Sequence, residues 1–450
     1  MTDRYSAFAS SNLGQRVIRP LGLPNPTPLR RFRPGEPPLR GPALLGGATA
    51  SSAALDAARG AAAESGVKTV DELAPSERPA ALLYDATQIE RPEYLVALHT
   101  FFSPVVRSLS SCGRIVVLAR PPAATSSESA RIAQRAVEGF TRSLGKEVGR
   151  GSTVNLVTVA DGAEAALAST VQFLLSARSA YVSGQVLHVG APVDDGGPDA
   201  QSGGDRPMAG RVAVVTGSSR GIGAAIARVL ARDGATVVGV DVPAAASDLA
   251  RQVRETGGSY LPLDITSVDA AQRIARHAHE THGGLDVVVH NAGITRDKRL
   301  ANMKPDAWSA VLAVNLLAPQ RITDHLLSSG AIRRGGRVVG VSSIAGIAGN
   351  TGQTNYATSK AGIIGLVGAL SPRAAEAGVT VNAVAPGFIE TQMTAVVPLM
   401  IREAGRRMNS LSQGGQPVDV AETIAWLAHP GSGGVNGTVV RVCGQSLLGA

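Results

Sequence analysis

The sequence predicts two α/β units in tandem, the second a doubly wound parallel sheet with helices on both faces, and three observations carry that expectation. A chain of 450 residues exceeds what one ordinary hydrophobic core organises. Its 44% hydrophobic residues and 52 glycines, against only 3% aromatics, suit alanine-, glycine- and valine-rich strands and helices joined by tight turns. Short apolar runs alternate with helical stretches of roughly 10 to 20 residues, a spacing at which right-handed crossovers return each strand parallel to the last.

The elements follow in order. Prolines at 20, 24, 26, 28, 34, 37 and 38 make residues 1–40 an extended arm. Residues 41–191 form the first unit. Ala81–Asp85 reads as a short strand, Gly113–Ala119 as a buried one, Glu128–Leu144 has helical spacing, and Thr153–Val159 and Gln185–Val189 are further strands. Residues 192–207, rich in Gly, Asp, Pro and Ser, are a linker. Residues 208–450 hold the second unit, with strands at Arg211–Val215, Ala235–Val240, Leu285–Val289, Gly336–Val341 and Val379–Val384 and a helix over 222–233.

Several function classes drop out. The net charge of +8 is diffuse apart from Arg30, Arg31, Arg33 and Arg40, and no aromatic-interleaved strand or recognition helix accompanies them, so no nucleic-acid partner is expected. Cys112 and Cys443 stand far apart without neighbouring ligands, which predicts neither a disulfide nor a metal site. The opening Met-Thr-Asp-Arg-Tyr lacks a basic segment before an apolar one, and no run reaches membrane-spanning length. A soluble, cytoplasmic protein without an integral membrane segment is therefore expected.

The halves echo each other. Gly113-Arg114-Ile115-Val116-Val117 answers Gly336-Arg337-Val338-Val339, Val154-Asn155 answers Val381-Asn382, and Val182-Ser183-Gly184 answers Val435-Asn436-Gly437. Duplication followed by loss of chemistry in one copy is the favoured source of the echo and would make the first unit structural, regulatory or partner-binding; the alternative is that similar α/β architectures produce similar strand sequences.

The second unit carries a nucleotide signature. Thr216-Gly217-Ser218-Ser219-Arg220-Gly221-Ile222-Gly223 follows a strand and opens a helix. There Gly217 permits the tight turn, Gly221 lets backbone approach a pyrophosphate, Gly223 allows close helix–strand packing, and free helix N–H groups favour phosphate. Asp241 ends the next strand, where a carboxylate accepts from ribose hydroxyls and repels a 2'-phosphate, so NAD(H) is expected over NADP(H), although Arg220 pulls the other way. Asp264 is placed for the adenine edge with Ile265 against the ring, and Asn291-Ala292-Gly293 closes a fourth strand in the same crevice. His290 interrupts an apolar strand and is read as a satisfied core histidine.

The chemistry centres on Tyr356 and Lys360, four apart and so on one face of a helix, where an ammonium lowers the pKa of a neighbouring phenol. Ser343 ends a strand 13 residues earlier. Asn315 is polar among Val311, Val314, Leu316 and Leu317, either as a structural hydrogen bonder or through a water link to Lys360. At the positions matching Tyr356 and Lys360, the first half offers only Ser129 or Ala130 and Ala133 or Gln134, so one chemical centre is expected.

On the glycine-rich turn, Asn291-Ala292-Gly293, Asn315, Ser343, Tyr356 with Lys360, and Pro386-Gly387, residues 208–450 resemble a short-chain dehydrogenase/reductase of the 3-oxoacyl-(acyl-carrier-protein) reductase group. The degenerate copy in front resembles the high-molecular-weight form found in actinobacteria. The resemblance implies a Rossmann-like second domain behind a smaller, degenerate flavodoxin-like or Rossmann-like one. Tyr356 would protonate a carbonyl oxygen as hydride arrives, and Ser343 would orient that carbonyl. Lys360 would hold the nicotinamide ribose and depress the Tyr356 pKa, while Asn315 would anchor a water. Cofactor contacts would come from Gly217, Ser219 to Gly223, Asp241, Asp264, Ile265, Asn291 to Gly293, Tyr356, Lys360, Pro386, Gly387, Ile389 and Thr391.

The implied reaction is NADH-dependent, reversible reduction of a 3-oxoacyl thioester on CoA or acyl carrier protein by a homodimer or higher homo-oligomer. The alternatives are a 3-hydroxyacyl or other secondary-alcohol dehydrogenase working mainly in oxidation, and an idle dinucleotide-binding scaffold or sensor. Residues 392–415, with Arg402, Arg406 and Arg407, would form a substrate lid suited to an anionic carrier. Val442-Cys443-Gly444-Gln445 departs from the group's closing Asp-Gly-Gly, so packing near the C-terminus is expected to differ.

Overall fold

Thirteen strands form two all-parallel sheets in the computed structural model, which describes residues 25–194, 206–395 and 398–446 together with 5, 8, 14 and 16. The prolines at 20 and 24, and residues 195–205 of the expected linker, lie outside the described residues.

In the first unit β1 (Ala43–Gly47), α1 (Ala53–Glu64), β2 (Thr69–Val70), β3 (Ala81–Asp85), α2 (Val96–Val105), β4 (Arg114–Ala119), α3 (Glu128–Glu147), β5 (Thr153–Val159), α4 (Ala168–Leu174) and β6 (Val186–Val189) follow in order. The sheet runs β2-β1-β3-β4-β5-β6, a flavodoxin-type order. Its core joins Leu82, Ile115, Val117 and Leu156 from the strands to Phe102 and Val137 from α2 and α3. β1 and β2 escape the sequence reading because β1 is five residues after a proline-rich arm and β2 is only two.

The second unit comprises β7 (Val212–Thr216), α5 (Gly221–Arg232), β8 (Thr236–Asp241), α6 (Ala246–Thr256), β9 (Ser259–Pro262), α7 (Ala270–His282), β10 (Leu285–His290), α8 (Pro305–Leu312), α9 (Ala318–Ser328), β11 (Ile332–Val341), α10 (Ala345–Ala348), α11 (Thr354–Glu376), β12 (Thr380–Pro386), α14 (Pro417–Ala428) and β13 (Val439–Val442). Between β12 and α14 lie two short helices, α12 (Gln392–Ala395) and α13 (Leu399–Arg407). The sheet runs β13-β12-β11-β10-β7-β8-β9, so strand order reverses between β7 and β10 and opens a crevice at their carboxyl ends. Val214, Val288, Val338 and Val381 stand side by side across four strands, all essentially unexposed. β-Branched side chains in such a row suit a strand buried on both faces.

Each unit repeats the same buried polar fastenings. Arg114 donates to the Cys112, Gly113 and Ser176 carbonyls, and Arg337 to those of Gly335, Gly336 and Pro430. Asn155 donates to Val182 O and accepts from Gln185 N, whereas Asn382 donates to Val435 O and accepts from Thr438 N. Both asparagines thus tie a strand to the turn before the last strand of their sheet.

The two compact units do not follow the chain linearly. Phe388–Gly415 and Val442–Leu447 belong with the first unit, and Pro192–Gly387 and Gln416–Arg441 form the second. Tyr181 holds the inserted segment: its hydroxyl donates to Gln413 O at 2.7 Å, its carbonyl accepts from Gly444 N at 3.0 Å, and its ring lies against Gly415 and Gly444. Gln445, in a left-handed conformation, donates to Arg142 O at 2.6 Å. The departure at the closing segment therefore has a structural counterpart, a glutamine fastened to α3.

Candidate active site

β7 delivers the glycine-rich turn to the mouth of the crevice. Gly217 adopts a positive φ, and a Cβ there would meet Ala292 backbone at 2.8 Å. A Cβ at Gly223 would sit 2.0 Å from the Gly217 carbonyl, so the helix can approach only without a side chain. Gly221 also has a positive φ, but nothing lies within 4 Å of where its Cβ would be. Arg220 at the N-cap of α5 makes no side-chain capping bond, which leaves the first helical N–H groups available. Open space before an uncapped helix N-terminus fits a pyrophosphate.

Asp241 reaches back to this turn: its carboxylate accepts from Ser219 N at 3.1 Å and Val242 N at 2.9 Å. Arg220 is exposed, and Ile222 lies in the first turn of α5. Asn291 donates to the carbonyls of Thr216 and Gly217, both at 3.0 Å, and Thr216 Oγ1 accepts from Asn291 N and Ala292 N, both at 3.1 Å. Thr216 was missed in the sequence, where only its place at the strand end before Gly217 marks it.

Asp264 Oδ1 accepts from both the N and Oγ1 of Thr266, an Asx turn made by the chain itself. Ile265 is only 6% exposed and packs in the core, leaving little surface for a ring.

The chemical groups converge from β11, α11 and the irregular segment Ala313–Leu317. That segment is a π-helical turn, and Asn315 lies buried within it. Its Oδ1 accepts from Ile294 N at 2.9 Å, and its Nδ2 donates to Ile294 O at 3.0 Å and Ser359 Oγ at 3.1 Å. The side chain thus fastens the chain just past Gly293. Lys360 Nζ donates to Val341 O at 2.7 Å and lies 5.6 Å from the Tyr356 ring centroid. Ser342 Oγ donates to Lys360 O at 2.7 Å, and Ser343 Oγ, which accepts from Ala345 N at 3.1 Å, lies near enough to the Tyr356 phenol to pull its pKa down. Pro386 O accepts from Ile344 N at 3.0 Å, so Pro386-Gly387 lies against the loop carrying Ser343.

The electrostatics correct one expectation. Burial pushes the Tyr356 phenol above its ordinary value; nearby Ser343 pulls it down without prevailing, and Asp297 adds to the rise. Burial lowers Lys360 to about 8. In the protein alone, desolvation outweighs any lowering of the phenol by the lysine. His290 is a core residue as expected but only half satisfied: its Nε2 meets Thr323 Oγ1 at 2.8 Å, its buried Nδ1 has no partner among the described residues, and burial pushes it down to about 4, leaving it neutral.

Ile389 and Thr391 fall in the segment that packs with the first unit. Ile389 is buried and bridged to Gly415, and Thr391 Oγ1 accepts from Thr394 N at 3.3 Å. Of the three lid arginines, Arg402 donates to Ala395 O at 3.2 Å and the other two are held by internal carboxylates. Arg406 is buried on Glu390 and Glu403, and Arg407 pairs with Glu403 at 3.1 Å. An anionic carrier would have to compete with these internal carboxylates.

The corresponding crevice of the first unit is shut. Ser52 caps α1, accepting from Leu55 N at 3.0 Å, and also donates to Asp85. Phe101 lies over Gly46. Gln134, at one of the positions matching Lys360, donates to Ala86 O and Ile89 O, each at 2.8 Å, and accepts from Arg120 N at 2.7 Å. A cavity of about 30 Å³ beside Ser52 and Thr87 is far too small for a dinucleotide.

Residues 217–444 match a family model described as enoyl-(acyl carrier protein) reductase. The 3-oxoacyl-(acyl-carrier-protein) reductase of Vibrio cholerae is 38% identical over 237 residues, covering 53% of this chain and 97% of that protein. The Pseudomonas aeruginosa protein of the same name is 40% identical over 240 residues, with 53% and 97% covered. That of Escherichia coli is 35% identical over 235 residues, with 52% and 96% covered.

Proposed function

Because the chain belongs to the short-chain dehydrogenase/reductase family and is a dinucleotide-dependent oxidoreductase, we propose that it reversibly reduces a 3-oxoacyl thioester to the 3-hydroxyacyl form with NADH. The observation that carries this reading is the convergence of Ser343, at the carboxyl end of β11, with the Tyr356 phenol and buried Lys360, whose Nζ lies 5.6 Å from the Tyr356 ring centroid. Two adjoining hydroxyls can both hydrogen-bond to one carbonyl oxygen.

Bound NADH supplies the hydride. Ser343 donates to the substrate oxygen and holds it where negative charge develops, worth about 3 kcal/mol in comparable sites. Tyr356 delivers the proton to the same oxygen. With its pKa raised, the phenol is protonated at neutral pH. Lys360 holds the nicotinamide ribose and eases proton loss from Tyr356 while it remains charged. The π turn at Asn315 leaves backbone groups out of helical register, and a water bound there would connect to Lys360. Asp241, oriented by the Ser219 and Val242 amides, favours a ribose hydroxyl over a 2'-phosphate and supports NAD(H).

The first unit is a copy that has lost its chemistry and now holds the segment following Gly387. We also take the protein to be a homo-oligomer. Gly365 and Gly368, in the interior of α11, have open space where a Cβ would be, so nothing among the described residues requires glycine there. A second copy approaching closely would.

The names of the family model and of the relatives disagree about the bond reduced but share an acyl carrier. Kinetics on 3-oxoacyl and 2-enoyl thioesters of increasing length, with NADH and NADPH in both directions, separate the readings. The account expects 3-oxoacyl turnover with NADH to dominate. Dominant enoyl reduction, or a strong NADPH preference, contradicts it.

A further inference from the structure

At the edge of the second sheet, away from the dinucleotide turn, two imidazoles face one hydroxyl. Ser259 Oγ on β9 lies 2.9 Å from His277 Nε2 and 2.7 Å from His282 Nε2, both on α7. The rings stand nearly perpendicular, 74° apart with centroids at 6.3 Å. A serine hydroxyl carries one proton, so it donates to one imidazole and must accept from the other. Five residues apart at the end of α7, the two side chains would ordinarily diverge; here Gly283, in the left-handed conformation, ends the helix beside them.

The geometry points to a binding site for a borderline transition-metal ion, Cu²⁺, Ni²⁺ or Zn²⁺, held by His277 Nε2 and His282 Nε2 with the Ser259 hydroxyl or water completing its coordination. Nitrogen ligands of this kind sit about 2.0–2.1 Å from such an ion. Among the described residues, no group of three or more His, Cys, Asp or Glu is placed to hold a metal, so this is a two-imidazole site with open positions. Such a site should follow the general affinity order and prefer Cu²⁺. All three residues are partly exposed, which gives the ion a route in. Once bound, it would pin the edge strand β9 to the end of α7.

Titration of the full-length protein with Cu²⁺, read by electron paramagnetic resonance, tests this. The parent should bind one equivalent with the signature of two nitrogen ligands. His277→Gln and His282→Gln should each weaken that binding by at least about tenfold, and the double variant should lose the two-nitrogen signal. Ser259→Ala keeps both imidazoles and should bind within about threefold of the parent. Circular dichroism of each variant separates a lost ligand from a lost fold. A double variant that is folded and still gives the parent's signal overturns the site, as does a parent with no two-nitrogen species.

Discussion

Burial moves Tyr356 and Lys360 in opposite senses and leaves both protonated at neutral pH, the phenol pushed up and the ammonium lowered to about 8. The catalytic consequence is a loss of reductase activity as pH rises through about 8, where Lys360 discharges. The stability consequence has the opposite sign. The unfolded lysine keeps its proton up to its ordinary 10.5, so the cost of burying the charge is full below about 8 and is relieved between about 8 and 10.5. Lys360→Met removes that charge. Melting temperatures of parent and variant across this range should therefore shift in the parent's favour as pH rises. A difference that does not change with pH would count against a strained, charged Lys360. The spacing of Tyr356 and Lys360 was legible in the sequence, but the direction of the tyrosine's shift was not, because desolvation depends on what covers a ring rather than on its neighbour four residues away.

At the scale of elements, regular strands with apolar runs were legible, and the edges and irregularities were not. Thr153–Val159 and Ala81–Asp85 stand as the sequence predicts, whereas β9 is a four-residue edge strand with an exposed tyrosine and no alternation to betray it. The π turn at Asn315 leaves no mark in composition. Nor could spacing reveal that Tyr181 reaches Gln413, 232 residues on. If that bond positions the segment between Gly387 and Gln416, Tyr181→Phe removes one of the two hydrogen bonds to the Gln413 carbonyl, leaving that from Asn409 Nδ2 at 2.9 Å, at a cost of about 0.5–1.5 kcal/mol. The expected result is a several-fold higher KM for the thioester with an unchanged Kd for NADH by fluorescence titration. Unchanged thioester kinetics would remove Tyr181 from any role in the segment's placement.

For the molecule as a whole, the repeated fastenings of Arg114 with Arg337 and Asn155 with Asn382 make the internal echo structural as well as textual. The two units differ at corresponding places: Ser52 caps α1 whereas α5 has no side-chain cap, and Gln134, at one of the positions matching Lys360, donates to backbone carbonyls. Because Phe388–Gly415 and Val442–Leu447 pack with the first unit, residues 208–450 expressed alone should melt at lower temperature and lose most thioester reduction. A fragment with native assembly and full activity would contradict a supporting role for the first unit.

The central claim is one proton-donating centre, at Tyr356, serving the whole chain. Acetoacetyl-CoA reduction by full-length Tyr356→Phe, measured beside NADH binding, tests it most directly. The account predicts NADH binding like the parent's with turnover reduced by at least about a hundredfold, the scale of a lost general acid. Turnover equal to the parent's would place the chemistry elsewhere.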